Sequence, residues 1–145
     1  MYVEDIVGSQ PDTVTCRPED TIQTAAILLH TKFIGAMPVV DSAGMVVGMF
    51  GERDIVRAFA SRKPNVADML VRDLMSTKVI SCPTGTTVLE AMDIMKRNRI
   101  RHVPVIDNGK LLGIVSIRDT LEELRQHAEL EASVMRDISI AARAR

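Results

Sequence analysis

The sequence predicts a mixed α/β (α+β) protein: two strand-helix-strand-strand-helix repeats packed through their sheets with pseudo-twofold symmetry, followed by a C-terminal helix. Three observations carry this. The chain repeats itself at a spacing of 66 residues, each copy carries a helix-period apolar stripe at the same offset, and each carries two apolar runs joined by a glycine-containing turn. Self-similarity at a fixed period marks a duplicated supersecondary unit.

At this spacing Val14-Thr15-Cys16 falls on Ile80-Ser81-Cys82, Thr21 on Thr87, Ala25 on Ala91, Ile34 on Ile100, and Pro38-Val39 on Pro104-Val105. The match runs unbroken to Asp41 and Asp107. One residue is then lost where Asp41-Ser42-Ala43-Gly44 faces Asp107-Asn108-Gly109, and Gly48, Arg53 and Asp54 pair with Gly113, Arg118 and Asp119. Length change in a surface turn is what a duplicated fold tolerates.

Ile22, Ala25, Ala26 and Leu29 follow the i, i+3, i+4, i+7 rule of an amphipathic helix, as do Val88, Ala91, Met92 and Met95. Ala36 to Val40 with Met45 to Phe50, and His102 to Ile106 with Leu111 to Val115, read as hairpins, the second turning at Asn108-Gly109. A further helix opens at Gly51 or Ser116 and runs through Ile55-Val56 or Leu121 to Leu124. Pro38 and Pro104 enter strands, which predicts an edge or an unpaired stretch of backbone there. The repeats are placed at residues 3–62 and 68–125, with a helical tail at 126–145. Thr120 to Ala142 contains neither Pro nor Gly, and its apolar positions suit a dimer contact; alternatively the basic end, Arg143 and Arg145, touches a partner.

Composition narrows the function. The 145 residues are 46% hydrophobic and 26% charged, an ordinary soluble balance, and the formal net charge of −1 supplies no global field for nucleic acid or anionic lipid. Met1-Tyr2-Val3-Glu4-Asp5 lacks a basic region leading into an apolar run, and Met45 to Phe50 is too short to span a membrane, so a cytoplasmic address is expected. Cys16 and Cys82 are too few for a thiolate cage and too distant in sequence for a CxxC motif; they read as small buried strand residues, with a redox or metal-binding pair as the alternative.

Ile100-Arg101-His102-Val103-Pro104-Val105-Ile106-Asp107 and Gly113-Ile114-Val115-Ser116-Ile117-Arg118-Asp119 resemble the motifs of the cystathionine-β-synthase (CBS) family. Ile34-Gly35-Ala36-Met37-Pro38-Val39-Val40-Asp41 with Gly48-Met49-Phe50-Gly51-Glu52-Arg53-Asp54 resembles them with substitutions, and the resemblance covers about residues 3 to 125. It implies a disc-like pair with two clefts, commonly binding AMP, ADP, ATP or S-adenosylmethionine, that forms a homodimer and modulates a partner protein. An adenosyl ligand would be a signal rather than a required cofactor. The alternative is an interaction module with empty clefts. An enzyme is disfavoured: the family also occurs within IMP dehydrogenase, but this chain has no room for a catalytic barrel, and no catalytic or metal-binding residues are assigned.

Asp119 leads the candidate site, because a carboxylate accepts bonds from both ribose hydroxyls at once. Ser116 and Arg118 accompany it at a helix N-terminus, which suits phosphate; Ser116-x-x-Asp119 is equally a capping pattern. Arg101 is the better phosphate anchor of the basic pair, and His102 is expected to be partly cationic near neutrality. The family's cleft geometry implies backbone contacts to the base from Thr77, Lys78, Val79, Ile80 and Ile100. Asp54, Arg53, Gly51 and Ile34 make a second, weaker site, since Gly51 replaces the hydroxyl and Gly35-Ala36 the basic pair, and asymmetric occupancy is expected.

Overall fold

The computed structural model describes residues 1–8 and 12–144. Helix α1 (Val3–Val7) precedes the first repeat: α2 (Ile22–Thr31), β1 (Ala36–Val40), β2 (Val46–Gly51) and α3 (Glu52–Ala60). A 3₁₀ turn (Val66–Asp68) and α4 (Val71–Leu74) lead to α5 (Val88–Asn98), β3 (His102–Asp107), β4 (Lys110–Ser116) and α6 (Ile117–Arg143).

Each hairpin is antiparallel, β1 with β2 and β3 with β4. The second turns on Asn108 and Gly109 at φ 51° and 79°, the left-handed pair that a two-residue loop requires. The strand expected to open each repeat contracts to one bridging residue, Cys16 beside Val39 and Cys82 beside Val105, both parallel. Met45 bridges Lys110. These two residues correspond under the repeat, so the pseudo-twofold axis passes between the hairpins at this point.

Pro38 and Pro104 are not at edges. Cys16 N–H donates to the Pro38 carbonyl and Cys82 N–H to that of Pro104, each at 3.1 Å, so both prolines lie on inner strands. Pro38 faces Met49, whose N–H and C=O both bond Ser76 at 2.9 Å, so no ladder bond is lost for want of the proline N–H.

The two cores exchange segments. Val66 and Val71 join Ile22, Ala25, Leu29, Met37, Val39 and Phe50 in the first, whereas Val3 and Ile6 join Val88, Ala91, Met95, Val103, Val105 and Val115 in the second. Equivalent bonds anchor both exchanges: Val71 N–H to the Asp20 carbonyl at 2.8 Å, and Val3 N–H to the Thr86 carbonyl at 2.9 Å. The opening helix of the chain therefore completes the lobe built mainly from its second half. Cys16 and Cys82 are buried free thiols within these cores, and burial pushes Cys16 up to about 12.

Candidate cleft between the lobes

β2 runs into α3 through Gly51, whose N–H donates to Asp54 Oδ2 at 2.9 Å. That bond satisfies an orphan donor at the helix start and fixes the carboxylate at the sheet's end. β4 meets α6 in the same way, with Ser116 N–H to Asp119 Oδ2 at 3.1 Å and Asp119 N–H to Ser116 Oγ at 3.0 Å. Capping, one of the two roles open to Ser116 and Asp119, is thus present in the structure.

A cavity of about 350 Å³ lies over Asp54, within the size range of small-molecule sites. Met49 lines it on the β2 side, where Phe50 is turned into the first core, and Gly35, Ala36, Gly51 and Ile80 bring backbone or small apolar surface close by. Ser76 continues the sheet beyond β2, and the segment after it carries Lys78 and Ile80 across the cavity before Cys82 joins β3. Ile100, Arg101 and His102 enter from the other lobe.

The structure therefore groups the candidate residues differently from the sequence expectation. Lys78, Ile80, Ile100, Arg101 and His102 share a cavity with Asp54, Arg53 and Gly51, not with Ser116, Arg118 and Asp119. The physical reason is the path of the inter-repeat segment, which pairs with β2 of the first repeat before reaching the second. Thr77, Val79 and Ile34 do not line the cavity; Val79 N–H turns back onto the Thr77 carbonyl at 3.1 Å. Arg101 and His102 also adjoin the other carboxylate: His102 faces Ser116 across the hairpin, and Ile117 N–H donates to the Arg101 carbonyl at 3.0 Å. They form the wall between Asp54 and Asp119.

Glu52, Arg57 and Arg99 complete the polar lining. Arg57 was legible as the helical i+3 neighbour of Asp54, and its Nη1 lies 3.4 Å from Asp54 Oδ1. Asp54 is largely enclosed, its side chain 15% exposed, while Arg57 is 72% exposed and free to swing. Burial raises the Asp54 pKa above the usual carboxylate value, opposed by the Gly51 N–H and Arg57. Burial likewise lowers His102 below its ordinary 6.5, against the pull of Asp119 and Glu52 and with the push of Arg101. Burial thus works against the partial charge expected of His102.

Two pseudo-symmetric lobes with an inter-lobe cleft, each lobe ending its hairpin in a carboxylate-capped helix, define the class. The chain belongs to the CBS-domain family, whose pattern matches residues 3–61 and 71–126. It is 42% identical over 109 residues to an uncharacterized 17.7 kDa protein of Acidianus ambivalens, covering 74% of this chain and 65% of that one. YlbB of Bacillus subtilis is 35% identical over 130 residues, 88% of this chain and 86% of that protein. A CBS-domain-containing protein of Agrobacterium tumefaciens superposes with a TM-score of 0.78 at 39% identity, covering 83% of this chain and 91% of that one. The CBS pair of MJ0100, solved with 5′-methylthioadenosine and S-adenosylmethionine, gives 0.76 at 27% identity over 86% and 99% of the two chains. PAE2072 of Pyrobaculum aerophilum, solved with AMP, gives 0.75 at 27% over 87% and 99%.

The chain spans just under two thirds of the Acidianus protein. It also matches inosine-5′-monophosphate dehydrogenase of Methanocaldococcus jannaschii, covering 77% of this chain but 21% of that enzyme, through the CBS segment alone. Stand-alone CBS pairs are typically regulatory. Among the described residues no helix is long and apolar enough to cross a membrane.

Proposed function

We propose that this chain is a regulatory module that binds an adenosine-containing ligand in the cleft at Asp54 and passes the binding on to a partner protein. The observation that carries this is the enclosed carboxylate of Asp54 set among the cationic side chains Arg53, Arg57, Lys78, Arg99 and Arg101 in one cavity. Asp54 would accept the ribose hydroxyls once Arg57 turns away, the base would lie against Met49 and Ile80, and the cations would face phosphates. The adenosyl ligands of MJ0100 and PAE2072 support the reading.

Binding alone regulates nothing unless the ligand prefers one of two arrangements of the module. The cleft lies between lobes, so closure on a ligand would change their relative placement. Self-association would use the exposed apolar residues of α6. The test is calorimetric titration with AMP, ADP, ATP and S-adenosylmethionine. Heat and thermal stabilisation with one of them, lost in Asp54→Ala, is the expected result; no response to any would favour the interaction module with empty clefts.

A further inference from the structure

Helix α6 is anchored at one end only. Thr120 is fully buried and Leu124 packs on the second core, but from Arg125 to Ala144 every residue except the half-buried Ser133 is exposed. A helical stretch of that length is marginal in water unless an apolar face is packed. It carries such a face: Leu130, Val134 and Ile138 stand four apart, and Leu130, Glu131, Val134 and Met135 line a groove beside them.

Two features select the occupant and its direction. Val134 stands midway between Arg125, the first residue clear of the lobe, and Arg143, the last of the helix, with Leu130 and Ile138 equally spaced on either side. A second α6 laid antiparallel and centred on Val134 therefore sets its Ile138 against Leu130, and its end falls level with the point where the first α6 leaves its lobe. Charge selects the same direction. Glu122, Glu123, Glu129 and Glu131 outweigh Arg125 in the first half, whereas Arg136, Arg143 and Arg145 outweigh Asp137 in the second. Arg125 is shared between Glu122 at 2.7 Å and Glu129 at 2.5 Å, so the first half stays acidic. The helix dipole favours acids only in the first turn and does not account for Glu129 and Glu131. Antiparallel pairing lays the acidic half on the basic half, and parallel pairing lays like on like.

We propose that two copies of this chain pair antiparallel through α6, with the twofold axis at Val134. The proposal rests on the self-association named above, gives it a direction and a register, and needs no ligand. The lobes then stand at opposite ends of the helix pair, with the two Leu124 residues roughly 30 Å apart along it at 1.5 Å per residue. Neither copy lends a residue to the other's cleft.

The test is sedimentation of the full chain together with disulfide trapping by copper phenanthroline, the wild type with its buried Cys16 and Cys82 serving as control. The wild type should sediment as a dimer. Val134→Cys should cross-link to itself, and Leu130→Cys mixed with Ile138→Cys should give a cross-linked heterodimer on a non-reducing gel. Leu130→Cys alone and Ile138→Cys alone should not cross-link, because each would lie about 12 Å along the pair from its own copy, beyond the reach of a disulfide. Self-cross-linking of Leu130→Cys would show parallel pairing, overturning the arrangement while leaving self-association through α6 standing. A dimer that none of these cysteines traps would place the contact on another face, and a wild type that stays monomeric at tens of micromolar would assign the stripe to a different partner; either result overturns both.

Discussion

Gly51 and Ser116 occupy the same position in the two repeats, and the structure shows why they differ. A Cβ at Gly51 would lie 2.7 Å from the Gly35 carbonyl oxygen and 3.1 Å from the Ala36 Cβ, so the first hairpin has no room for the serine that the second accommodates. Gly51→Ser should therefore destabilise the fold despite restoring a capping hydroxyl; a lowered melting temperature checks this. Asp54 presents the opposite trade. Its folded pKa is raised, so the charged form is disfavoured in the folded state, and the cost is absent below the ordinary carboxylate value of 3.8, grows as pH rises above it and levels off beyond the folded value. Asp54→Asn keeps an acceptor for Gly51 and should leave the protein as stable or more stable at neutral pH while abolishing ligand binding. His102 works with the other sign: its lowered pKa means that stability is full above 6.5 and declines as pH falls below it, because the buried neutral ring must charge. His102→Gln should flatten that acid limb of a melting-temperature profile. Cys16, held near 12, should resist thiol reagents at neutral pH until denaturant exposes it.

At the level of elements, α2, α3, α5, α6 and the hairpins were legible from local signals, whereas the short α1 and α4 were not: Thr87 and Glu90 form a reciprocal cap at 3.1 Å at the start of α5, and Asn108-Gly109 dictates the second turn. The capping of α6 by Ser116 and Asp119 was legible for the same reason. What was not legible depends on contacts distant in sequence. Whether Lys78 belongs with Asp54 or Asp119 is decided by the pairing of Ser76 with Met49, which no periodicity announces. Pro38 misled as an edge signal because its strand direction, and hence the side on which its nitrogen lies, is a tertiary fact. Helix α1 carries a matching energetic prediction. Ile6 is 4% exposed in the second core, so Ile6→Ala should cost about 2–5 kcal/mol in denaturant unfolding, comparable to a core position inside either repeat.

For the molecule as a whole, α6 sets the question of assembly. Its 27 residues extend about 40 Å at 1.5 Å per residue, and its first turns pack on α5, β4 and α1. Beyond them Leu130, Val134, Met135, Ile138 and Ile140 are 47–66% exposed. Leu130, Val134 and Ile138, four apart, form one stripe. If a second copy covers that stripe, Val134→Glu with Ile138→Glu should shift sedimentation from dimer to monomer without lowering the monomer's helicity; an unchanged sedimentation coefficient would assign the dimer, if present, to another face.

The exchange of segments between the two cores also orders events during synthesis. The first lobe can close once Met75 has left the ribosome, since every residue of its core then exists. Val3 and Ile6, made before all of it, must wait beside a finished neighbour until Thr86 and Val88 emerge to receive them. Helix α1 is thus made before the first lobe but finds its place after it, and a ribosome stalled between the repeats would hold a folded lobe with Val3 and Ile6 still uncovered.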